Sequence, residues 1–226
     1  MSRPVIVFDM DGVLVDVTAS YRAAIIETIR HFTGVTVTAE SVQEWKNRGG
    51  YNNDWVLCHH YCRELGVDLQ YETVVDYFNE IFFGRNNDGL IAREWWVPQD
   101  GLLERLAARY RLAIFTGRNR RELEATLNRF VREPLFEVTI TTDDIDNGKP
   151  APDGLYEIAR RTGAEIAAFL GDTVDDAGSA RAAGVPFIGV AAAGAPMRER
   201  LVEALRAAGA AAVIENVNEL EEVLPQ

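Results

Sequence analysis

The stretch Val5-Ile6-Val7-Phe8-Asp9-Met10-Asp11-Gly12-Val13-Leu14-Val15-Asp16 governs how the whole chain is read. An apolar, mostly β-branched run, Val5–Phe8, leads straight into two acids one residue apart, with a glycine behind them. That composition predicts a buried strand. A single acid after a strand is ordinary turn chemistry, and Gly12 suits a positive φ. Two acids at the end of a central strand point instead to a site built for charge.

Working outward, similar runs recur at Leu112–Phe115, Val138–Thr141, Ala168–Leu170, Phe187–Val190 and Ala212–Ile214. Amphipathic stretches separate them: Leu123, Leu127 and Phe130 keep helical spacing, as do Met197, Leu201 and Leu205. This alternation predicts an α/β fold, a doubly wound, Rossmann-like parallel sheet with helices on both faces. Residues 17–96 break the rhythm. They carry helical stripes at Tyr21, Ile25, Ile29 and Phe32, at Trp55, Cys58, Cys62 and Leu65, and at Tyr71, Val74 or Val75, Phe78 and Phe82, with no clear strand. An insertion of that size is far longer than an ordinary connection. We therefore expect a core of residues 1–16 and 97–226 and an inserted helical domain of residues 17–96. The segment from Gly84 to Pro98 reads as the linker back.

The formal net charge of −12 over 226 residues argues against a nucleic-acid partner. No apolar run approaches the length of a membrane helix. Met1-Ser2-Arg3-Pro4 leads directly into the first strand, unlike a signal peptide, and the two cysteines do not make a disulfide framework. The expectation is a cytoplasmic protein, monomer or homodimer.

Ligands of open parallel sheets bind beyond the carboxyl ends of the strands. At those ends this chain carries Asp9 and Asp11, then Thr116-Gly117-Arg118, then Thr142, Asp143, Asp144 and Gly148-Lys149-Pro150, and finally Gly171-Asp172-Thr173-Val174-Asp175-Asp176. Clustered carboxylates call for a cation, and hard oxygen ligands suit Mg²⁺ held together with a substrate phosphate. A lysine and a hydroxyl nearby suit phosphoryl oxygens. A free carboxylate in such a set suits nucleophilic attack, and a neighbour two residues on suits proton transfer.

With these residues in place, the sequence resembles the phosphatase branch of the haloacid dehalogenase superfamily of hydrolases. The likeness rests on Asp9-Met10-Asp11-Gly12, Thr116-Gly117-Arg118, Lys149-Pro150 and Gly171-Asp172-Thr173-Val174-Asp175-Asp176, in that order. The insertion resembles the helical cap of the superfamily's first subclass. The resemblance implies that Asp9 attacks phosphorus and that Asp11 acts as acid and base. It implies Mg²⁺ on Asp9, the Asp11 carbonyl, Asp172 and, through water, Asp176. It also implies phosphoryl contacts from Thr116, the Gly117 amide and Lys149. An acid at position 11 disfavours dehalogenation. The implied activity is hydrolysis of a small phosphate ester. A mutase of the β-phosphoglucomutase type is an alternative, as is a histidinol-phosphate phosphatase, since the first two motifs also resemble a group linked to histidine biosynthesis.

Plainer readings stand beside these. Asn119 with Glu122 reads as a helix N-cap and its partner. Asp172 reads as a possible cap for a helix near Val174. Arg120 and Arg121 read as surface residues balanced by Glu122 and Glu124. Cys58 and Cys62, despite His59 and His60, read as core rather than zinc ligands. Lys46 and Arg48, in the Trp45–Asp54 stretch, and Arg118 are candidate substrate contacts. A phospho-receiver would share the aspartates, threonine and lysine but needs no insertion, and a binding-only descendant would normally have lost some of the charged set.

Overall fold

The computed structural model describes residues 3–131 and 134–224, so the N-terminal reading at Met1 and Ser2 lies outside the described residues. In chain order the strands and longer helices are β1 (Val5–Phe8), β2 (Val15–Asp16), α1 (Tyr21–Thr33), α2 (Ala39–Asn47), α3 (Asp54–Glu64), α4 (Tyr71–Phe83), β3 (Trp95–Trp96), α5 (Leu102–Arg109), β4 (Arg111–Phe115), α6 (Arg120–Phe130), β5 (Phe136–Ile140), α7 (Asp153–Thr162), β6 (Ile166–Gly171), α8 (Val174–Ala183), β7 (Phe187–Val190), α9 (Arg198–Ala207) and β8 (Ala212–Ile214). They divide into two compact units, one running to Val15 and resuming at Trp96, the other Asp16–Trp95. No helix among the described residues is long and apolar enough to cross a membrane.

In the larger unit, strands pair in the order β5-β4-β1-β6-β7-β8, each pair parallel. The chain starts in the middle, adds β4 and β5 on one side, then crosses β1 to add β6, β7 and β8 on the other. Its direction of winding reverses at β1, so the carboxyl end of β1 opens on the crevice where doubly wound sheets bind ligands. Every β1 residue is buried, because helices cover both faces of the sheet. Val5 and Val7 pack with Phe115, Ile140 and Phe169 and with Leu155 and Ile158 of α7. Burying each such side chain stabilises the fold by about 1.5–3 kcal/mol.

Strands β1, β7 and β8 have the expected bounds. β5 instead starts at Phe136 and stops before Thr141, whose hydroxyl turns to accept the Asp143 N–H at 3.3 Å. β6 runs on through Gly171, which pairs with Gly189 of β7. Met197 stands just outside α9 as its N-cap, while Leu201 and Leu205 are buried as the stripe predicts.

In the helical unit, Tyr21, Ile25 and Ile29 of α1 are buried, and so are Val74, Phe78 and Phe82 of α4, which settles the choice between Val74 and Val75. The Tyr21 and Phe82 rings lie 4.2 Å apart. On α3, Cys58 and Cys62 are buried, but Leu65 is the C-cap and is exposed. The stripes leave out one helix, α2. Its buried side chains are Val42 and Gln43, too few apolar positions to mark a face. The signal for it lies at the start, where the Thr38 hydroxyl accepts the Ser41 N–H at 3.2 Å. The insertion also ends in a short strand where none was expected: β3 pairs with β2 as the chain leaves and enters the unit.

Burial pushes both cysteine thiols above their ordinary value, Cys58 by far the more. Thiols held protonated react poorly. A disulfide reagent such as Ellman's should leave both unmodified in the native protein at neutral pH and label both after denaturation. Prompt native labelling would contradict the core packing of α3.

Candidate active site

Asp9 leaves the end of β1, where its N–H donates to the Leu170 carbonyl at 2.8 Å. Phe8 is in register with Ile114 on β4 and Leu170 on β6. Thr116 and Asp172 therefore leave the same edge of the sheet just beyond those partners. Lys149 comes from the segment before α7, and its Nζ lies 2.7 Å from Asp9 Oδ1 and 2.7 Å from Asp176 Oδ1. Its side chain is fully buried, with the ammonium 5.0 Å above the Phe115 ring and 5.4 Å above that of Phe169.

Asp9, Asp172 and Asp176 form one group, each offering an oxygen within 4.8 Å of the others. Two close approaches make this possible. Gly12, at φ 73°, packs so near Asp172 that a Cβ there would sit 2.2 Å from Oδ2. A Cβ on Gly171 would lie 2.4 Å from that of Asp176. Helix α8 begins beside the group, and its cap is Thr173 rather than Asp172. The Thr173 hydroxyl accepts the Asp176 N–H at 3.2 Å, while Asp176 Oδ2 accepts the Thr173 N–H at 3.0 Å and its hydroxyl at 2.6 Å. The Thr173-x-x-Asp176 spacing is a capping box, a signal the sequence carried.

Burial raises Asp9 well above the usual carboxylate range; Lys149 opposes that, and Asp176, Asp11 and Asp172 add to it. Burial alone would lower the Lys149 ammonium, but Asp176 and Asp9 outweigh it and hold it above its ordinary value. The lysine is compensated by two carboxylates, whereas for Asp9 burial and the neighbouring acids outweigh the one ammonium. A divalent cation fits this donor set, being all hard oxygen and short of positive charge. Asp9, Asp172 and Asp176 are the residues that would hold it. Bound there, it would bring the Asp9 carboxyl down toward its ionised form.

Thr116 is buried at the end of β4, its hydroxyl accepting the Arg118 N–H at 3.2 Å, and Gly117 is exposed. Arg118 has partners other than the ones expected of a substrate contact. Its side chain is buried, and Nε and Nη2 donate to Asp11 Oδ1 at 2.9 and 2.5 Å. Asn119 and Glu122 make the expected capping box at 2.9 Å in both directions. Arg120 departs from the surface reading: it bonds Thr139 and pairs with Asp144 at 2.5 Å, because α6 starts beside the end of β5. Asp143 and Asp144 are thus occupied locally, and Asp175, though buried, stands outside the carboxylate group.

Lys46 and Arg48 belong to the helical unit. Lys46 Nζ is 2.6 Å from Asp54 Oδ1, both largely buried. Arg48 is exposed, with its guanidinium 4.4 Å over the Trp45 ring and 3.4 Å from Glu44.

Comparison with known proteins follows the same lines. A protein from Phytophthora nicotianae named imidazoleglycerol-phosphate dehydratase is 38% identical over 84% of this chain. The chain spans only 44% of that relative's length. A phosphoglycolate phosphatase from Colwellia psychrerythraea is 27% identical over 83% of this chain and 84% of its own. The crystal structure of a hydrolase from Pseudomonas syringae shares the fold, with a TM-score of 0.71 at 21% identity, covering 99% of this chain and 100% of that one. Residues 4–184, which contain every strand-end motif above, match the model of the haloacid dehalogenase-like hydrolases, and the chain belongs to that family.

Proposed function

We propose that the protein is a Mg²⁺-dependent phosphomonoesterase that acts on a small phosphorylated metabolite through an aspartyl-phosphate. The observation that supports this most is the group of Asp9, Asp172 and Asp176, with a buried lysine against two of them, at the switch point of the sheet. Mg²⁺ would neutralise charge on the carboxylates and the phosphoryl group. An Asp9 carboxylate oxygen attacks phosphorus, and the bond to the leaving oxygen breaks as Asp11 gives that oxygen a proton. Asp11 then takes a proton from water, whose oxygen displaces Asp9 and frees inorganic phosphate. Thr116, the Gly117 amide and Lys149 hold phosphoryl oxygens, so catalysis is chiefly positioning and electrostatics. Residues 17–96 serve as a cap that selects the leaving group, with Lys46 and Arg48 as its candidate contacts.

A narrower substrate deserves a place in the test. The relative from Phytophthora nicotianae is named for a phosphate ester bearing an imidazole, and histidinol phosphate is another of that chemical class. The deciding experiment is phosphate release from a panel of phosphate esters, phosphoglycolate and histidinol phosphate included, with Mg²⁺ and with EDTA. Turnover that requires Mg²⁺ is expected. Turnover undiminished by EDTA, or none on any ester, would count against the reading.

A further inference from the structure

Arg118 holds a single oxygen of Asp11. Its Nε and Nη2 both donate to Oδ1, at 2.9 and 2.5 Å. Among the described residues, Asp11 Oδ2 has no donor. The guanidinium is itself fixed from behind: Nη1 donates to the hydroxyl of buried Thr126 on α6 at 2.6 Å and lies 3.5 Å from the Glu122 carbonyl. The Arg118 side chain is 1% exposed and that of Asp11 is 31% exposed. The guanidinium is thus engaged by protein acceptors through Nε, Nη1 and Nη2 alike. An acid that must deliver a proton needs one oxygen held and the other free, and Asp11 has Oδ1 held by two donors on a side chain that is still 31% exposed.

Resting on the acid and base role assigned to Asp11, we propose that Arg118 is a positioning residue that pins Oδ1 and so presents Oδ2 to the leaving group. The same residue shapes the phosphoryl loop, since its N–H donates to the Thr116 hydroxyl at 3.2 Å and its carbonyl accepts the Thr142 N–H at 3.0 Å. Only the guanidinium serves Asp11, so side-chain replacements separate the two duties. Loss of orientation at a proton donor costs on the order of 10²-fold in rate.

The test compares kcat/KM of Arg118→Met on two esters. An alkyl phosphate needs its leaving oxygen protonated; para-nitrophenyl phosphate leaves largely unaided as the phenolate. The expected result is a loss of about 10²-fold on the alkyl ester and a much smaller one on the aryl ester. Arg118→Lys, which retains a buried cation, should recover part of the loss, and it carries the test if the methionine variant does not fold. Added to Asp11→Asn, Arg118→Met should cost nothing further. Equal losses on both esters, or a full extra loss in the Asp11→Asn background, would overturn the proposal, as would unchanged kinetics. A selective Asp11→Asn beside an unselective Arg118→Met would remove the Arg118 assignment alone. An Asp11→Asn protein that treats both esters alike would remove the acid role, and this proposal with it.

Discussion

Asp9→Asn will lose turnover by on the order of 10⁴-fold or more and will keep its fold. The amide matches the carboxyl in volume but is no nucleophile toward phosphorus. Stability should not suffer, because Asp9 already sits where ionisation is costly: buried, with Asp176, Asp11 and Asp172 nearby and only Lys149 opposing them. A carboxyl raised in the folded state binds its proton more tightly there than in the unfolded chain. That contribution is full below the unfolded value of about 3.9 and is lost as pH rises through the raised one. The metal-free protein should therefore lose stability as pH climbs out of the acid range, and Asp9→Asn should flatten that decline. Mg²⁺ should protect the native protein against thermal unfolding more than the variant. Phosphate release and thermal melts across pH read both effects. Retained turnover would refute the nucleophile assignment.

Lys149→Met is expected to act on stability and rate together. The substitution keeps an apolar stem against Phe115 and Phe169 but strips the ammonium from Asp9 and Asp176. Removing one partner of a buried ion pair costs about 3–5 kcal/mol. Protonation of the stranded acids offers partial relief, so the destabilisation should deepen as pH rises. Denaturant unfolding in EDTA at two pH values measures it. Turnover should fall on the order of 10³-fold, as when a donor to a developing charge is lost. A variant with native stability at neutral pH without metal would mean that Lys149 is not the counter-charge of this group.

What the sequence made legible was whatever depends on short spacing. Val5–Phe8 ahead of Asp9 marks a buried strand and the charged end it runs into together. Asn119 and Glu122 announce their capping box three residues apart. The strand-end motifs meet because parallel strands deliver their carboxyl ends to one edge, whatever the length of chain between them. Pairings across long separations were another matter. Arg118 and Asp11 stand 107 residues apart, and nothing in either local stretch says that the guanidinium is committed to that carboxylate. Arg120 and Asp144 escaped notice for the same reason. Helix α2 was hidden for lack of an apolar stripe, and Leu65 was overread because its stripe ran one residue past the helix end.

Asp176 draws a last consequence from its two oxygens. One closes the first turn of α8 through Thr173, and the other faces Lys149. Structural and chemical demands thus fall on a single side chain. Drift toward asparagine would keep the cap and discard the charge; drift toward serine would shorten the reach to the lysine. Neither replacement serves both partners, so the helix start and the lysine's counter-charge stand or fall on the same carboxylate.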